Sequence, residues 1–257
     1  MKRKIKELKR IARGNLQGNY MAVIRAFIFC NIIVTLIEMP FSFMTNDIQF
    51  STQNIIYYIA IALISIASVV LLAGQYRIHL QLARTGQIHL SELFVPIKNY
   101  SNVLILTELI LLGISLLCTV PLIGAIIIIY LYKHLALYIT AAILILLSLI
   151  LLVYVSITFD LVFLVINDNI QITPIKALTQ TKEMVKKNKG RYLYMQLSFL
   201  GMALLVGFTF GIGMLWVQPY MMHTTTLFYL DVKGELDAVL ENKLENTPEP
   251  IIFDHYA

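Results

Sequence analysis

Charged residues are scarce in this chain: 14% of its 257 residues are Asp, Glu, Lys or Arg, whereas roughly a quarter is usual in soluble domains. Hydrophobic residues make up 58%, and the mean hydropathy is +0.77. This composition excludes an ordinary soluble domain and indicates a membrane protein.

Cysteine and the motifs of catalysis are also nearly absent. Cys30 and Cys118 lie inside apolar segments, so they provide neither a disulfide framework nor a zinc site. There is no H-E-x-x-H, no G-x-S-x-G and no phosphate-binding glycine loop, and the five histidines show no ligand spacing. We therefore expect no enzyme activity, no metal, no cofactor and no nucleic-acid partner.

Six apolar segments are long enough to cross about 30 Å of hydrocarbon as helices. They lie at residues 20–44, 54–76, 101–132, 136–166, 191–210 and 214–231. Residues 101–166 could hold two long spans or three short ones, but three would move the next basic cluster to the outer side. We therefore predict two, with a break near Lys133-His134 and a kink at Pro121 or Gly124.

The predicted fold is thus an all-α, polytopic membrane protein with six transmembrane helices. Residues 1–232 form a single membrane domain, and residues 233–257 form an acidic cytoplasmic tail. Nearly all of the twenty lysines and arginines fall in segments that this topology puts on one side, whereas the connections at 45–54 and 210–213 carry none. The positive-inside rule therefore predicts a multi-pass protein of the cell membrane with both termini cytoplasmic.

An amphipathic helix that lies in the plane of the membrane is predicted over residues 3–17, before the first span. Its apolar residues at helical spacing are Ile5, Leu8, Ala12 and Leu16. The basic residues that we expect to contact anionic lipid of the inner leaflet are Lys6, Lys9, Arg10 and Arg13.

Two further in-plane helices are predicted before spans three and five. The first covers residues 91–98, and the second begins with Thr173 as N-cap and Pro174 at the first helical position. An interfacial tyrosine follows each of the three segments: Tyr20, Tyr100 and Tyr192. The similarity suggests three modules, although cytoplasmic loops that re-enter a membrane often have this composition.

After Leu230 the chain carries seven acidic residues against two lysines. A short amphipathic helix that docks on the basic inner surface is predicted there from Leu236, Val239, Leu240 and Leu244. The alternative for the residues after Asn246 is a solvated tail.

Polar residues inside the spans are costly in hydrocarbon and normally turn toward the bundle interior. Arg25, Glu108 and Asp160 lie roughly 7–11 Å deep, at 1.5 Å of helical rise per residue. The predicted intramembrane polar layer comprises Arg25, Glu108, Asp160, Gln196, His223 and Thr224. Two interpretations are open. In the structural one, Arg25 pairs with Asp160 or Glu108 to hold the helices together, or its side chain extends to the membrane surface. In the functional one, the layer forms a path for a substrate or protons.

The C-terminal third is similar to a known family. Its characteristic stretches are Leu197-Ser198-Phe199, Thr209-Phe210-Gly211-Ile212-Gly213, Leu215-Trp216-Val217, Pro219-Tyr220 and Phe228-Tyr229. Together with the opening segment from Glu7 to Tyr20, they resemble a bacterial integral membrane family of unknown function, catalogued as DUF975. The resemblance implies a multi-helix membrane protein typical of Gram-positive bacteria, and it implies no catalytic residues.

The sequence therefore indicates a non-enzymatic membrane protein that acts in envelope homeostasis, in lipid handling or as an accessory subunit of a membrane complex. Its expected partners are membrane lipids, with a membrane protein or a second copy of the chain as a further possibility. The alternative is a small secondary transporter or channel-like protein that uses the polar layer. That alternative is the weaker one, because the sequence shows no clearly interrupted pair of helices.

Overall fold

The computed structural model describes residues 2–43, 52–131 and 135–246, and every regular element in these ranges is helical. The helices, in chain order, are α1 (Ile5–Leu16), α2 (Tyr20–Ser42), α3 (Thr52–Thr85), α4 (Val95–Asn99), α5 (Ser101–Leu131), α6 (Leu135–Phe159), α7 (Val162–Asp168), α8 (Pro174–Lys186), α9 (Lys189–Leu197), α10 (Leu200–Phe208), α11 (Met214–Lys233) and α12 (Leu236–Asn246). A short 3-10 segment, Leu90–Phe94, precedes α4. The predicted break near Lys133-His134, most of the 45–54 connection and the residues after Asn246 lie outside the described ranges.

Five described helical segments are long and apolar enough to cross a membrane. They are Tyr20–Ser42, Asn54–Thr85, Ser101–Leu131, Leu137–Asp168 and Lys189–Phe208. Each corresponds to one of the first five predicted spans. As predicted, residues 101–166 contain two long spans rather than three short ones. The predicted kink at Pro121 or Gly124 does not end the helix, because α5 runs from Ser101 to Leu131 with Pro121 inside it.

The predicted sixth span corresponds to α11, which is not among these five. From Pro219 to Asp231 almost every side chain of α11 is buried, and α11 packs against α1, α2 and α3. His223, Thr224 and Thr226 are fully buried, so neighbouring helices, rather than an apolar sequence, shield the polar groups of this helix. Hydropathy therefore identifies five spans, and α11 is a central, less apolar helix.

The helix α1 confirms the predicted helical spacing but differs from the prediction in what covers its apolar face. Ile5, Leu8, Ala12 and Leu16 are the buried residues of α1, none more than 6% exposed. They belong to the main hydrophobic core, and α11 is the principal neighbour of α1. The apolar face therefore packs on protein and not in the lipid headgroup layer, while the basic face points away from the core.

The helix α3 continues to Thr85, well beyond the predicted boundary at residue 76. Two arginines beyond the predicted end of the second span lie on this extension. Arg77 pairs with Glu92 at 2.5 Å, and Arg84 pairs with Asp168 at 2.6 Å. The extension is stable because these ion pairs accompany a buried apolar stripe that includes Leu82.

The 3-10 segment lies directly against α3 at Gly74. A Cβ atom at this position would collide with the backbone carbonyl of Leu93. Glycine is therefore required here for close approach of two backbones, not for an unusual torsion angle.

Two spans are interrupted without any glycine or proline at the break. Between α6 and α7 the chain turns at Asp160 and Leu161, and between α9 and α10 it turns at Ser198 and Phe199. The ψ angles of Leu161 (1°) and Phe199 (−10°) depart from the helical value near −42°. The sequence therefore does not mark these two breaks, although the structure has them.

Exposed and buried apolar side chains lie in different parts of the molecule. Toward one end, the long helices present apolar residues such as Leu117, Tyr130 and Phe208, which are 73–84% exposed. The opposite end is a compact core, to which α1, α7, α8 and the second half of α11 contribute. The polar residues considered next lie between these two regions or within the core.

Candidate functional site

The carboxylate of Asp160 lies at the α6–α7 interruption and faces α9. The Tyr192 hydroxyl donates a hydrogen bond to Asp160 Oδ2. Gln196 Nε2 lies 3.3 Å from the same oxygen and 2.7 Å from the Tyr192 hydroxyl. Tyr192 and Gln196 converge on Asp160 because residues four apart lie on one face of a helix.

Two clefts meet at Asp160. The Gln196 cleft, of about 470 Å³, lies between α6, α9, α10 and α11. The Glu108 cleft, of about 480 Å³, lies between α3, α5, α6 and α7. Both clefts are lined by Tyr76, Ser156 and Asp160, and neither has a lysine or arginine among the described residues of its lining.

The Gln196 cleft opens on the apolar outer surface of the helices. Leu193, Leu197 and Leu200 line it and are 41–58% exposed. Further polar groups, Gln218 and Thr225, line its α11 side. An apolar cavity with a few polar groups is typical of a site for a small molecule, and here the mouth faces the region where lipid chains would lie.

The structure brings together only part of the predicted polar layer. Asp160 and Gln196 are in hydrogen-bond contact, and Glu108 shares a cleft with Asp160. The predicted pair of Arg25 with Asp160 or Glu108 is wrong, because Arg25 is exposed and its Nε donates to the Met21 carbonyl one turn earlier on α2. The depth of Arg25 was estimated along the helix axis, but its side chain points outward.

The other two residues of the predicted layer lie elsewhere in the core. The rings of His223 and His79 are 5.5 Å apart, and Asn15 Nδ2 lies 3.2 Å from His223 Nε2. The Thr224 hydroxyl donates to the Tyr220 carbonyl of its own helix. Neither His223 nor Thr224 lines the two clefts at Asp160.

Of the four basic residues that were expected to contact lipid, three are exposed: Lys6, Arg10 and Arg13. Lys9 is partly buried, its Nζ donates to the Ser198 carbonyl at 3.0 Å, and it lies 4.0 Å from the centre of the Phe199 ring. Burial, with a smaller contribution from Arg13, lowers the pKa of Lys9. Lys9 therefore joins α1 to the α9–α10 interruption instead of facing a membrane surface.

Two of the predicted interfacial tyrosines are core residues. Tyr100 and Tyr192 are at most 4% exposed. The Tyr100 hydroxyl donates to Asn167 Oδ1 at 2.5 Å, and the Tyr192 hydroxyl donates to Asp160. Tyr192 and Gln196 are four residues apart, and this spacing is the sequence signal that both could contact the same group, here Asp160.

A network of ion pairs at the compact end was not predicted from the sequence. Asp168 accepts from Arg84 at 2.6 Å, from Lys233 at 2.5 Å and from the Tyr229 hydroxyl at 2.7 Å. Arg84 lies on α3, whereas Tyr229 and Lys233 lie one turn apart on α11. All three are far from Asp168 in sequence, so only the fold could reveal the network.

The helix α12 also contacts the segment before α1 and the helix α3 at the compact end. Arg3 Nη2 lies 2.7 Å from Asp237 Oδ1, and Lys243 Nζ lies 2.8 Å from the Leu82 carbonyl. The predicted C-terminal helix is confirmed as α12, with Leu236 buried and Leu240 packed against the core. Asp237 is exposed, and its hydrogen bond with Arg3 lowers the pKa of its carboxyl group.

The helices and the clefts together define a helical protein with the character of a multi-pass membrane protein. The family model described as "Protein of unknown function (DUF975)" matches residues 1–235, so the chain belongs to this family, as its resemblance indicated. No match was found among curated proteins or among solved structures.

Proposed function

We propose that this protein is a non-enzymatic protein of the bacterial cell membrane that handles lipid at the cytoplasmic face. The observation that carries the proposal is the placement of α1. Its apolar side is anchored on the core, its outer side presents Lys6, Arg10 and Arg13, and Lys9 ties it to the interruption at Ser198. An anionic headgroup held by α1 would lie close to the Gln196 cleft, because Leu197 and Leu200 on either side of the interruption line that cleft.

The contact between Arg3 and Asp237 supports an even number of membrane crossings between them. Because Arg3 is bound to Asp237, α1 and α12 lie at the same end of the bundle. Five crossings would separate them. A 20-residue helix is about 30 Å long, so α11 is long enough to supply the sixth crossing. We therefore propose six crossings, with both termini cytoplasmic as the basic clusters favour.

Envelope homeostasis, or service as an accessory subunit of a membrane complex, is the cellular role that we propose for this lipid contact. The extensive exposed apolar surface suits lipid, a membrane-protein partner or a second copy of the chain. Proteins that co-purify in a mild detergent would identify such a partner.

The lipid proposal is tested with the full-length protein in dodecyl maltoside micelles, titrated with a fluorescent phosphatidylglycerol. Each basic residue near anionic lipid contributes roughly 1 kcal/mol. The triple variant Lys6→Gln, Arg10→Gln and Arg13→Gln is therefore expected to bind up to about 100-fold more weakly. Phosphatidylcholine with the same fluorophore should bind the two proteins alike.

The matched control removes three exposed lysines from α8: Lys176→Gln, Lys182→Gln and Lys186→Gln. It changes the net charge equally, so a smaller loss in this control assigns the effect to α1. If both triple variants lose the same affinity for phosphatidylglycerol, the binding depends on the net charge of the protein and not on α1. If neither variant loses affinity, the lipid proposal is refuted.

A second candidate function, secondary transport, is favoured by one observation: the two interrupted spans face each other at Asp160. Interrupted helices that surround a polar group near the middle of a bundle are typical of secondary transporters. Substrate-dependent flux in proteoliposomes that is lost in Asp160→Asn would support it. Flux that is equal with and without the protein would exclude it.

A further inference from the structure

We propose that the Gln196 cleft binds an amphiphile whose head carries a primary ammonium group, with the ammonium group at Asp160 and the chain between the leucines at the mouth. The proposal rests on the proposed function, because it names a class of molecule that a lipid-handling or transporting protein would take. The anionic lipid on α1 and this cationic head are separate ligands at separate surfaces.

The charge of the cleft selects a cation. Asp160 is the one acidic residue in the lining of the Gln196 cleft, and no lysine or arginine accompanies it among the described residues. A carboxylate in surroundings of low dielectric constant requires a proton or a cation as a partner. An anionic head would be repelled, and a neutral head would leave protonation as the way to compensate the carboxylate.

The hydrogen-bond pattern selects an ammonium group that still has N–H donors. Both donors at Asp160, the Tyr192 hydroxyl and Gln196 Nε2, converge on Oδ2. Among the residues that the structure describes, none donates to Oδ1. Thr225 and Gln218, which line the same cleft, add further acceptor oxygens. A primary ammonium group has three donors for these acceptors, whereas a trimethylammonium group has none.

The shape of the cleft selects an amphiphile over a small soluble amine. Leu193, Leu197 and Leu200 extend from the cleft to the exposed apolar surface. An alkyl chain that leaves the cleft here would stay among apolar side chains and then enter the bilayer. Its burial removes apolar surface from water and so strengthens binding.

The test uses full-length protein in dodecyl maltoside micelles, with native mass spectrometry to measure occupancy of three probes that share a chain: dodecylammonium, dodecyltrimethylammonium and dodecanol. Dodecylammonium is expected to bind at least tenfold more tightly than either of the others, and Asp160→Asn should weaken it at least tenfold, which corresponds to about 1.4 kcal/mol. Glu241→Gln, an exposed acid on α12, is the charge-matched control and should bind like the wild type. Equal binding of the three probes, or unchanged binding by Asp160→Asn, would overturn the proposal.

Two features keep the test decisive. If Asp160→Asn fails to fold, the ranking of the probes on the wild-type protein still decides the chemistry of the head, and Leu197→Trp at the exposed mouth should weaken dodecylammonium binding by obstructing the chain. The α1 triple variant separates this proposal from the previous one. In this variant, loss of phosphatidylglycerol binding with normal dodecylammonium binding would support both proposals as separate sites. Unchanged phosphatidylglycerol binding would refute the α1 proposal and leave the cleft proposal standing, whereas equal binding of the three probes by the wild type would overturn the cleft proposal and leave the α1 proposal standing.

Discussion

Replacement of Lys9 by methionine should destabilise the protein, although Lys9 belongs to a helix face that the sequence assigns to lipid. Methionine retains an apolar stem but loses the hydrogen bond to Ser198 and the charge over the Phe199 ring. A hydrogen bond from a charged donor contributes about 1.5–3 kcal/mol when buried, and a cation–π contact adds about 0.5–1 kcal/mol. Because Lys9 is partly exposed, we expect a loss of about 2 kcal/mol, which corresponds to roughly 4–8 °C in a chain of this size.

The control is Lys6→Met, three residues earlier on the same helix and exposed. It removes the same charge and should change stability by less than about 0.5 kcal/mol. Both variants are heated in dodecyl maltoside, and the fraction that remains folded is measured by size-exclusion chromatography to give the two unfolding temperatures. If Lys9→Met and Lys6→Met unfold at the same temperature, Lys9 does not hold α1 to the interrupted span.

Two further predictions concern packing and the polar layer. Gly74→Ala should lower stability by about 1–3 kcal/mol, because the added Cβ atom collides with the Leu93 carbonyl and the gain in helix propensity offsets only part of this cost. Gly113→Ala in α5 is the control: its Cβ position is open, so stability should rise by up to about 1 kcal/mol. Similar thermal shifts for the two variants would refute the close approach of the 3-10 segment to α3. Arg25→Gln should leave thermal stability nearly unchanged, because among the described contacts Arg25 forms a hydrogen bond only within its own helix. A large loss of stability that a second substitution at Asp160 or Glu108 partly restores would instead indicate an ion pair.

Local sequence signals predicted the helices well. The spacing of Ile5, Leu8, Ala12 and Leu16 identified the buried face of α1, and Thr173-Pro174 marked the start of α8. Length and apolar character were sufficient for the first five spans, because a helix in contact with lipid must be apolar along its length.

The partners of polar residues could not be predicted in the same way. Depth along a helix placed Asp160 and Gln196 in one layer, where they do meet, but it placed Arg25 there as well. Which way a side chain points around the helix axis depends on how the helices pack, and in an almost uniformly apolar span the sequence carries little information about that direction. Contacts between distant segments determine that α11 covers α1 and that Asp168 forms its ion pairs, so no local pattern predicts either. The breaks at Asp160 and Ser198 could not be predicted because no glycine or proline marks them.

The central claim of this account is that α11 crosses the membrane, which places α1, α12 and the basic face in the cytoplasm together. The most direct measurement is a pair of topology reporters, one inserted at Gly211 between α10 and α11 and one fused after Ala257. Six crossings predict that the Gly211 reporter is outside and the Ala257 reporter is inside. Reporters on the same side would show that α11 does not cross, and the proposed topology would then be wrong.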